Sequence, residues 1–180
     1  MLKLIELQET DLEKIKSGII EIKQNPTPYD IRQSKILIDF MEKDFNGLLD
    51  YLVQRKKEEQ PNGWVPDTTL FLFDSDTFIG FYNVRHYLTE ALMKEGGHIA
   101  YEIIPSQRGK GYVRAGLKLL LTWCHDNLKL DQVLLCCNAE NIASDRAMTS
   151  VMNEVGGKRG EDIPLNGHIE RHVWINTKKV

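Results

Sequence analysis

Apolar and polar positions alternate from the first residues, Met1-Leu2-Lys3-Leu4-Ile5-Glu6-Leu7, so residues 2–7 read as a short strand. Thr10 or Asp11 can cap a helix running to about Lys23, and Asn25-Pro26-Thr27-Pro28 breaks it. Over 29–59, Ile36, Phe40, Phe45, Leu48, Leu49 and Leu52 fall near helical spacing and predict one long second helix. Its closing run Arg55-Lys56-Lys57-Glu58-Glu59 carries both signs and reads as a solvated helix end. Pro61-Asn62-Gly63 is a loop.

Two apolar runs follow, Thr69 to Phe73 and Phe78 to Val84, separated by Asp74-Ser75-Asp76, which is hairpin chemistry. A helical turn fits 87–95, and His98 to Ile104 reads as a strand ended by Pro105. From about Gly111 to Asn127, Val113, Leu117, Leu120, Leu121 and Cys124 share one helix face. Gln132 to Cys137 is a buried strand, and Ile142 to Glu154 a helix ended by Gly156-Gly157. A last hairpin turns on Asn166-Gly167. The order is β α α β β β α β α β β. The strand–helix–strand segment 98–137 requires a parallel, right-handed crossover. The fold class is α/β (α+β by some schemes), with a mixed, mostly antiparallel sheet.

The length of 180 residues fits a single domain, 1–180, large enough to fold without disulfides or metal. A net charge of −3 is the wrong sign for coating a phosphate backbone, which argues against a nucleic-acid partner. Cys124, Cys136 and Cys137 sit among apolar neighbours and read as buried, reduced thiols of a cytoplasmic protein. No run is long and apolar enough for a membrane span, and the N-terminus is no signal peptide. No Cys/His/Asp/Glu group has metal-ligand spacing.

The chemistry concentrates in Pro105-Ser106-Gln107-Arg108-Gly109-Lys110-Gly111-Tyr112-Val113-Arg114, between a strand end and a helix start. Helix N-termini expose unpaired N–H groups, and glycines let backbone approach a ligand, so this bend can cradle phosphate oxygens. Arg108, Lys110, Arg114 and Lys118 add charge; a glycine turn followed by a solvated basic stripe is the alternative. The stretch is neither a Walker A loop, because Gly111 follows Lys110, nor a Rossmann fingerprint.

The run Arg108-Gly109-Lys110-Gly111-Tyr112-Val113 resembles the acyl-CoA signature of the GNAT superfamily of N-acyltransferases, with Val113 where Gly or Ala is usual. The element order is also that superfamily's. Arg85-His86-Tyr87-Leu88, Gly96 to Tyr101, Pro105-Ser106 and Asn141 to Ser144 bring the chain close to a bacterial group of its predicted acetyltransferases, most strongly over 77–160.

This resemblance implies an acyltransferase that moves an acetyl group from acetyl-CoA to a primary amine by direct attack in a ternary complex, without metal. The alternative is a non-catalytic acyl-CoA sensor or interaction module on the same fold. Backbone N–H groups from Arg108 to Val113, with Arg114, would hold the diphosphate, and Ile103 and Ile104 would pair with the pantetheine. Asn141 and Ser144 would contact pantetheine or phosphate; Asn141 also reads as a helix cap. Many family members pair as dimers, so the resemblance allows a homodimer.

An amine must be neutral to attack, so a general base is useful. His98, Ala100 and Glu102 share one strand face, and His98 and Glu102 are the candidate bases. Their structural alternatives are a backbone hydrogen bond for His98 and solvent exposure for Glu102. A backbone N–H near Ile103 or Ile104 could serve the oxyanion. Met148 stands where many family members carry a tyrosine acid, leaving Tyr112 and Tyr101 as substitutes. Tyr82 and His86 could line the acceptor cleft, and Asp44, Asp50 and Glu90 could attract a cationic amine.

Overall fold

The computed structural model describes residues 1–57, 59–60, 63–165 and 167–178. The chain packs as two compact units: Met1–Val84 with Tyr101–Tyr112, and Arg85–Ala100 with Val113–Val180. Strand β4, Ile99–Ile103, passes from the second unit into the first.

The first unit holds β1 (Leu2–Ile5), β2 (Asp67–Asp74), β3 (Thr77–Arg85) and helices α1 (Leu12–Gln24), α2 (Arg32–Lys43) and α3 (Leu48–Lys57). A single turn of 3-10 helix, Glu9–Asp11, precedes α1. Strands β1 and β2 pair antiparallel, Leu4 opposite Leu72. The β2–β3 turn places Ser75 at φ 54°, a conformation a short polar residue tolerates. Ile15, Ile19, Leu37, Leu48, Phe71, Phe78, Phe81 and Ile104 form one buried cluster. Each contributes about 1.5–3 kcal/mol of hydrophobic stabilisation as a transfer quantity.

The expected single helix over 29–59 is two helices, α2 and α3. The break is Asp44-Phe45-Asn46-Gly47, where the Asp44 carboxylate accepts the Gly47 N–H at 3.1 Å and competes with the helical pattern. The charge run is also not wholly solvated. Arg55 is buried at 2% exposure and pairs with Asp67. Three positions of that run and its loop, Glu58, Pro61 and Asn62, lie outside the described residues.

The second unit holds α4 (Glu90–Lys94), α5 (Tyr112–Leu128), β5 (Gln132–Asn138), α6 (Ile142–Val155), β6 (Gly157–Arg159), β7 (Ile163–Leu165) and β8 (His168–Asn176). Its parallel step is β4 against β5, Ile99 opposite Leu135, with α5 as the crossover. The remaining pairings are antiparallel: β5, β6 and β7 all pair with β8, Leu135 opposite Val173 and Lys158 opposite Trp174. The sheet is therefore mixed and mostly antiparallel, as the pattern of elements implies.

Strand β6 was not foreseen; its three residues are all exposed and carry no alternation. Asn166 of the last turn lies outside the described residues. On β8 the polar residues Glu170 and His172 are buried while Ile169 is 49% exposed. Glu170 accepts the Gly96 N–H at 3.4 Å, and a ring nitrogen of His172 bonds the Lys94 carbonyl at 3.1 Å.

Candidate active site

Within the first unit, β3 and β4 are joined by the Ile104 N–H, which donates to the Ile79 carbonyl at 3.0 Å. Counting back from that pair sets Glu102 opposite Phe81 and Tyr101 opposite Tyr82, whose rings lie 5.7 Å apart. Glu102 thus shares the face of Phe81 and Ile104, the face that α1 and α2 cover. Tyr82 points to the other face, fully buried, its hydroxyl donating to the Tyr112 carbonyl at 3.3 Å. The structure does not bring Tyr82 and Glu102 together.

Glu102 is buried, at 8% exposure, rather than solvent-facing. Ser34 Oγ, in the first turn of α2, donates to Oε2. Arg108 donates to Oε1 through Nη2 at 3.3 Å and to the Ile103 carbonyl through Nε at 3.0 Å. Burial pushes the Glu102 carboxyl above its ordinary value; the Ser34 hydrogen bond opposes this, Asp30 adds to it, and Arg108 opposes it.

The bend after β4 is a turn of 3-10 helix, Pro105–Gln107, in which the Gln107 N–H bonds the Ile104 carbonyl at 2.9 Å and the Arg108 N–H bonds Pro105 at 3.2 Å. Both main-chain groups of Ile104, the Ile103 carbonyl and the Arg108 N–H are thereby engaged within the chain. The Ile103 N–H, by the alternation of an antiparallel ladder, points away from β3. Gly109 and Gly111 adopt φ 75° and 82°, and a Cβ built on either meets no atom within 4 Å. The N–H groups of Gly109, Lys110, Gly111 and Tyr112 donate to no acceptor among the described residues. They form an open, anion-ready arc at the start of α5. Lys110 bonds Gln107 at 3.0 Å, and the Tyr112 hydroxyl donates to Asp74 at 3.2 Å.

In the second unit, His98 is buried at 5% exposure, and its Nδ1 accepts the Leu134 N–H at 2.9 Å. Burial, reinforced by Arg85, lowers its pKa to about 4. With Nδ1 accepting, the neutral ring carries its proton on Nε2, so no lone pair is left for a substrate proton. His86 lies just past β3, half-buried. Asn141 caps α6, its Oδ1 accepting the Ser144 N–H at 3.2 Å. Arg114 and Lys118 both grip Glu154, so the basic stripe is partly neutralised. Val113 opens this unit at the N-terminal turn of α5.

Met148 is fully buried, a core residue. Burial raises the thiol of Cys124 to about 12 and of Cys137 to about 11, so neither is poised for covalent catalysis. Among the described residues no group of three or more His, Cys, Asp or Glu could hold a metal, and no helix is long and apolar enough to cross a membrane.

A model of the acetyltransferase (GNAT) domain matches residues 2–151. The chain belongs to the GNAT acetyltransferase family. It is an acyltransferase. Among solved GNAT structures it is similar to RimL, a ribosomal L7/L12 α-N-protein acetyltransferase in complex with coenzyme A. That likeness has a TM-score of 0.68 at 14% identity, covering 97% of this chain and 93% of that one. It is also similar to spermidine N-acetyltransferase from Vibrio cholerae in complex with CoA and spermine. Here the TM-score is 0.58 at 16% identity, over 99% and 96% of the two chains. Identities this low carry the fold alone. No curated protein sequence matches the chain.

Ser34 and Asp30, which the structure sets beside Glu102, do not figure in the sequence reading of that residue. Ser34 meets Glu102 from 68 residues away, a pairing that local pattern cannot register.

Proposed function

We propose that this GNAT protein is an N-acetyltransferase that moves an acetyl group from acetyl-CoA to a primary amine by direct attack in a ternary complex. The observation that carries the reading is the open arc of N–H groups from Gly109 to Tyr112 at the start of α5, on glycines with positive φ. These donors suit the diphosphate, with the Val113 amide and Arg114 next along the helix. The family's use of coenzyme A fits that chemistry, which supplies an activated acetyl thioester and needs no covalent enzyme intermediate.

Glu102 is the general base. Its carboxylate takes a proton from the incoming ammonium, and burial raises its affinity for that proton. His98 supports the sheet, because its accepting nitrogen is already bonded. The Ile103 N–H is the donor offered to the thioester oxyanion, since Ile104 is engaged on both sides. The same engagement withdraws Ile104 from the pantetheine pairing and leaves that role to the Ile103 carbonyl, once Arg108 Nε releases it. Asn141 and Ser144 would contact the carrier in addition to capping α6. The departing thiolate, with a pKa near that of a free thiol of ~8.5, leaves without a dedicated acid, consistent with Met148 in the core.

The test is thermal stabilisation by acetyl-CoA against free CoA and ATP, followed by thiol release with a broad amine panel. Selective binding to the native state raises stability by roughly 2.7 kcal/mol at a hundredfold excess over Kd. Stabilisation by CoA species and not ATP, with amine-dependent thiol release, is the expected result. Tight binding without release across the panel would leave the non-catalytic sensor.

A further inference from the structure

The face of the first unit that carries Glu102 is unusually polar beyond it. Asn83 lies on β3 two residues past Phe81, the residue opposite Glu102, so about 7 Å along the strand. Asn83 Nδ2 donates to Asp67 Oδ1 at 2.8 Å and to Thr69 Oγ1 at 3.1 Å, on β2. Asp67 is buried and shared by two guanidinium groups. Arg55 approaches through Nε at 3.1 Å and through Nη2, and Arg32 through Nη2 at 3.5 Å. Two cations on one carboxylate leave one positive charge uncompensated.

Arg55 is 2% exposed and its Nη1 has no hydrogen-bond partner among the described residues. Gln33 is 3% exposed, and both its Nε2 and Oε1 lack a partner among the described residues. Buried polar atoms left unpaired are costly, so the orphaned Arg55 Nη1 beside Asp67 and the orphaned Gln33 amide on the same turn of α2 as Arg32 point to a polar guest. The first turn of α2 joins the two ends: Arg32 reaches Asp67 and Ser34 holds Glu102, with Gln33 between them in sequence. Arg32 keeps a third of its side chain exposed and stacks on Trp64, its Cζ 3.5 Å from the ring centroid. The layer is therefore bipolar, acidic at Glu102 and Asp30 and cationic at Arg32 and Arg55.

We infer that this layer binds an acceptor carrying both an amine and, several bonds away, a carboxylate: the amine is delivered to Glu102 and the carboxylate to Arg32, Arg55 and the Gln33 amide. This rests on the reading of Glu102 as the base and adds the substrate class to it. A polyamine would meet like charge at the Arg32 end. Deprotonated by Glu102, the amine nitrogen bonds the thioester carbon, the carbon–sulfur bond breaks, and the departing thiolate takes the second proton from that nitrogen, leaving a neutral amide and the carrier's thiol. The carboxylate end takes no part in bond making.

The experiment compares alkylamines, α,ω-diamines and ω-amino acids of matched chain lengths at saturating acetyl-CoA. The best ω-amino acid should exceed its alkylamine in kcat/KM by at least about tenfold, the worth of one charge-assisted pair, with the diamine below both. Arg32→Gln should bring the ω-amino acid down to its alkylamine, mainly through KM, and Arg32→Lys should recover part of the preference. A diamine matching or exceeding the ω-amino acid overturns the inference, as does a preference that survives Arg32→Gln. If no amine releases thiol, the base reading fails by itself, and melting in the presence of CoA decides the binding claim. Greater stabilisation by ω-amino acids than by diamines supports it. Equal or absent stabilisation overturns it and assigns the unpaired atoms to buried water.

Discussion

Two buried titratable side chains bracket β4, His98 just before its first residue and Glu102 next to its last, and they are built differently. At the first, His98 is closed off: its accepting nitrogen receives a main-chain N–H from Leu134, and burial holds it neutral with a pKa of about 4. At the second, Glu102 is held only by side chains, Ser34 and Arg108, that can rearrange as a ligand enters. The turn of α2 that supplies Ser34 also carries Gln33, whose buried amide, like Arg55 Nη1, has no hydrogen-bond partner among the described residues. A buried polar group satisfied by backbone reads as architecture, whereas one held by mobile partners beside unpaired neighbours reads as chemistry.

The largest test of that contrast is Glu102→Gln, which preserves shape and removes the base. We expect kcat to fall by about 10²–10⁴-fold in steady-state thiol release, while acetyl-CoA affinity holds. A loss under tenfold would move the base elsewhere. Next comes the cradle. Gly111 sits at φ 82°, where a β-branched residue is strained by about 1–3 kcal/mol, so Gly111→Val should weaken acetyl-CoA binding by about tenfold or more in calorimetry. An unchanged Kd would contradict the role of the bend.

At the other end, His98→Ala strands the Leu134 N–H and should cost about 1–3 kcal/mol in denaturant unfolding, while His98→Asn, which offers an oxygen to the same N–H, should recover part of it with kcat little changed. The pH dependence has a defined sign. The folded pKa of His98 is depressed, so its stability contribution is complete above about 6.5 and is lost as pH falls toward about 4. His98→Asn should flatten stability across that window. The smallest effect is at Ser34, whose hydrogen bond favours the Glu102 carboxylate. Ser34→Ala should shift the acidic limb of kcat/KM upward, by up to about one pH unit.

Much of this was legible in the chain. The glycine bend announced itself through Gly109 and Gly111 between a strand and a helix, and α5, β5 and α6 follow their apolar spacing closely. Asp44, Asn46 and Gly47 carried turn chemistry that splits the long helix, but the apolar spacing on either side masked it. Arg55 reads locally as part of a solvated charge run, and its partners across a loop, Asp67 and the Val65 carbonyl, explain its burial. Gln33 and Ser34 are ordinary helix residues until β4 is placed beneath them. Contacts between distant elements, rather than local pattern, decide which polar side chains go inside.

The most direct measurement is the pH profile of kcat/KM for the amine, at saturating acetyl-CoA, in the wild type, Glu102→Gln and His98→Asn. With Glu102 taking the ammonium proton, the wild type and His98→Asn should rise through the Glu102 ionisation and then level off. Glu102→Gln should instead keep climbing toward the amine's own pKa, about 10 for an alkyl ammonium. A plateau that persists in Glu102→Gln and vanishes in His98→Asn would contradict the assignment of the two ends of β4.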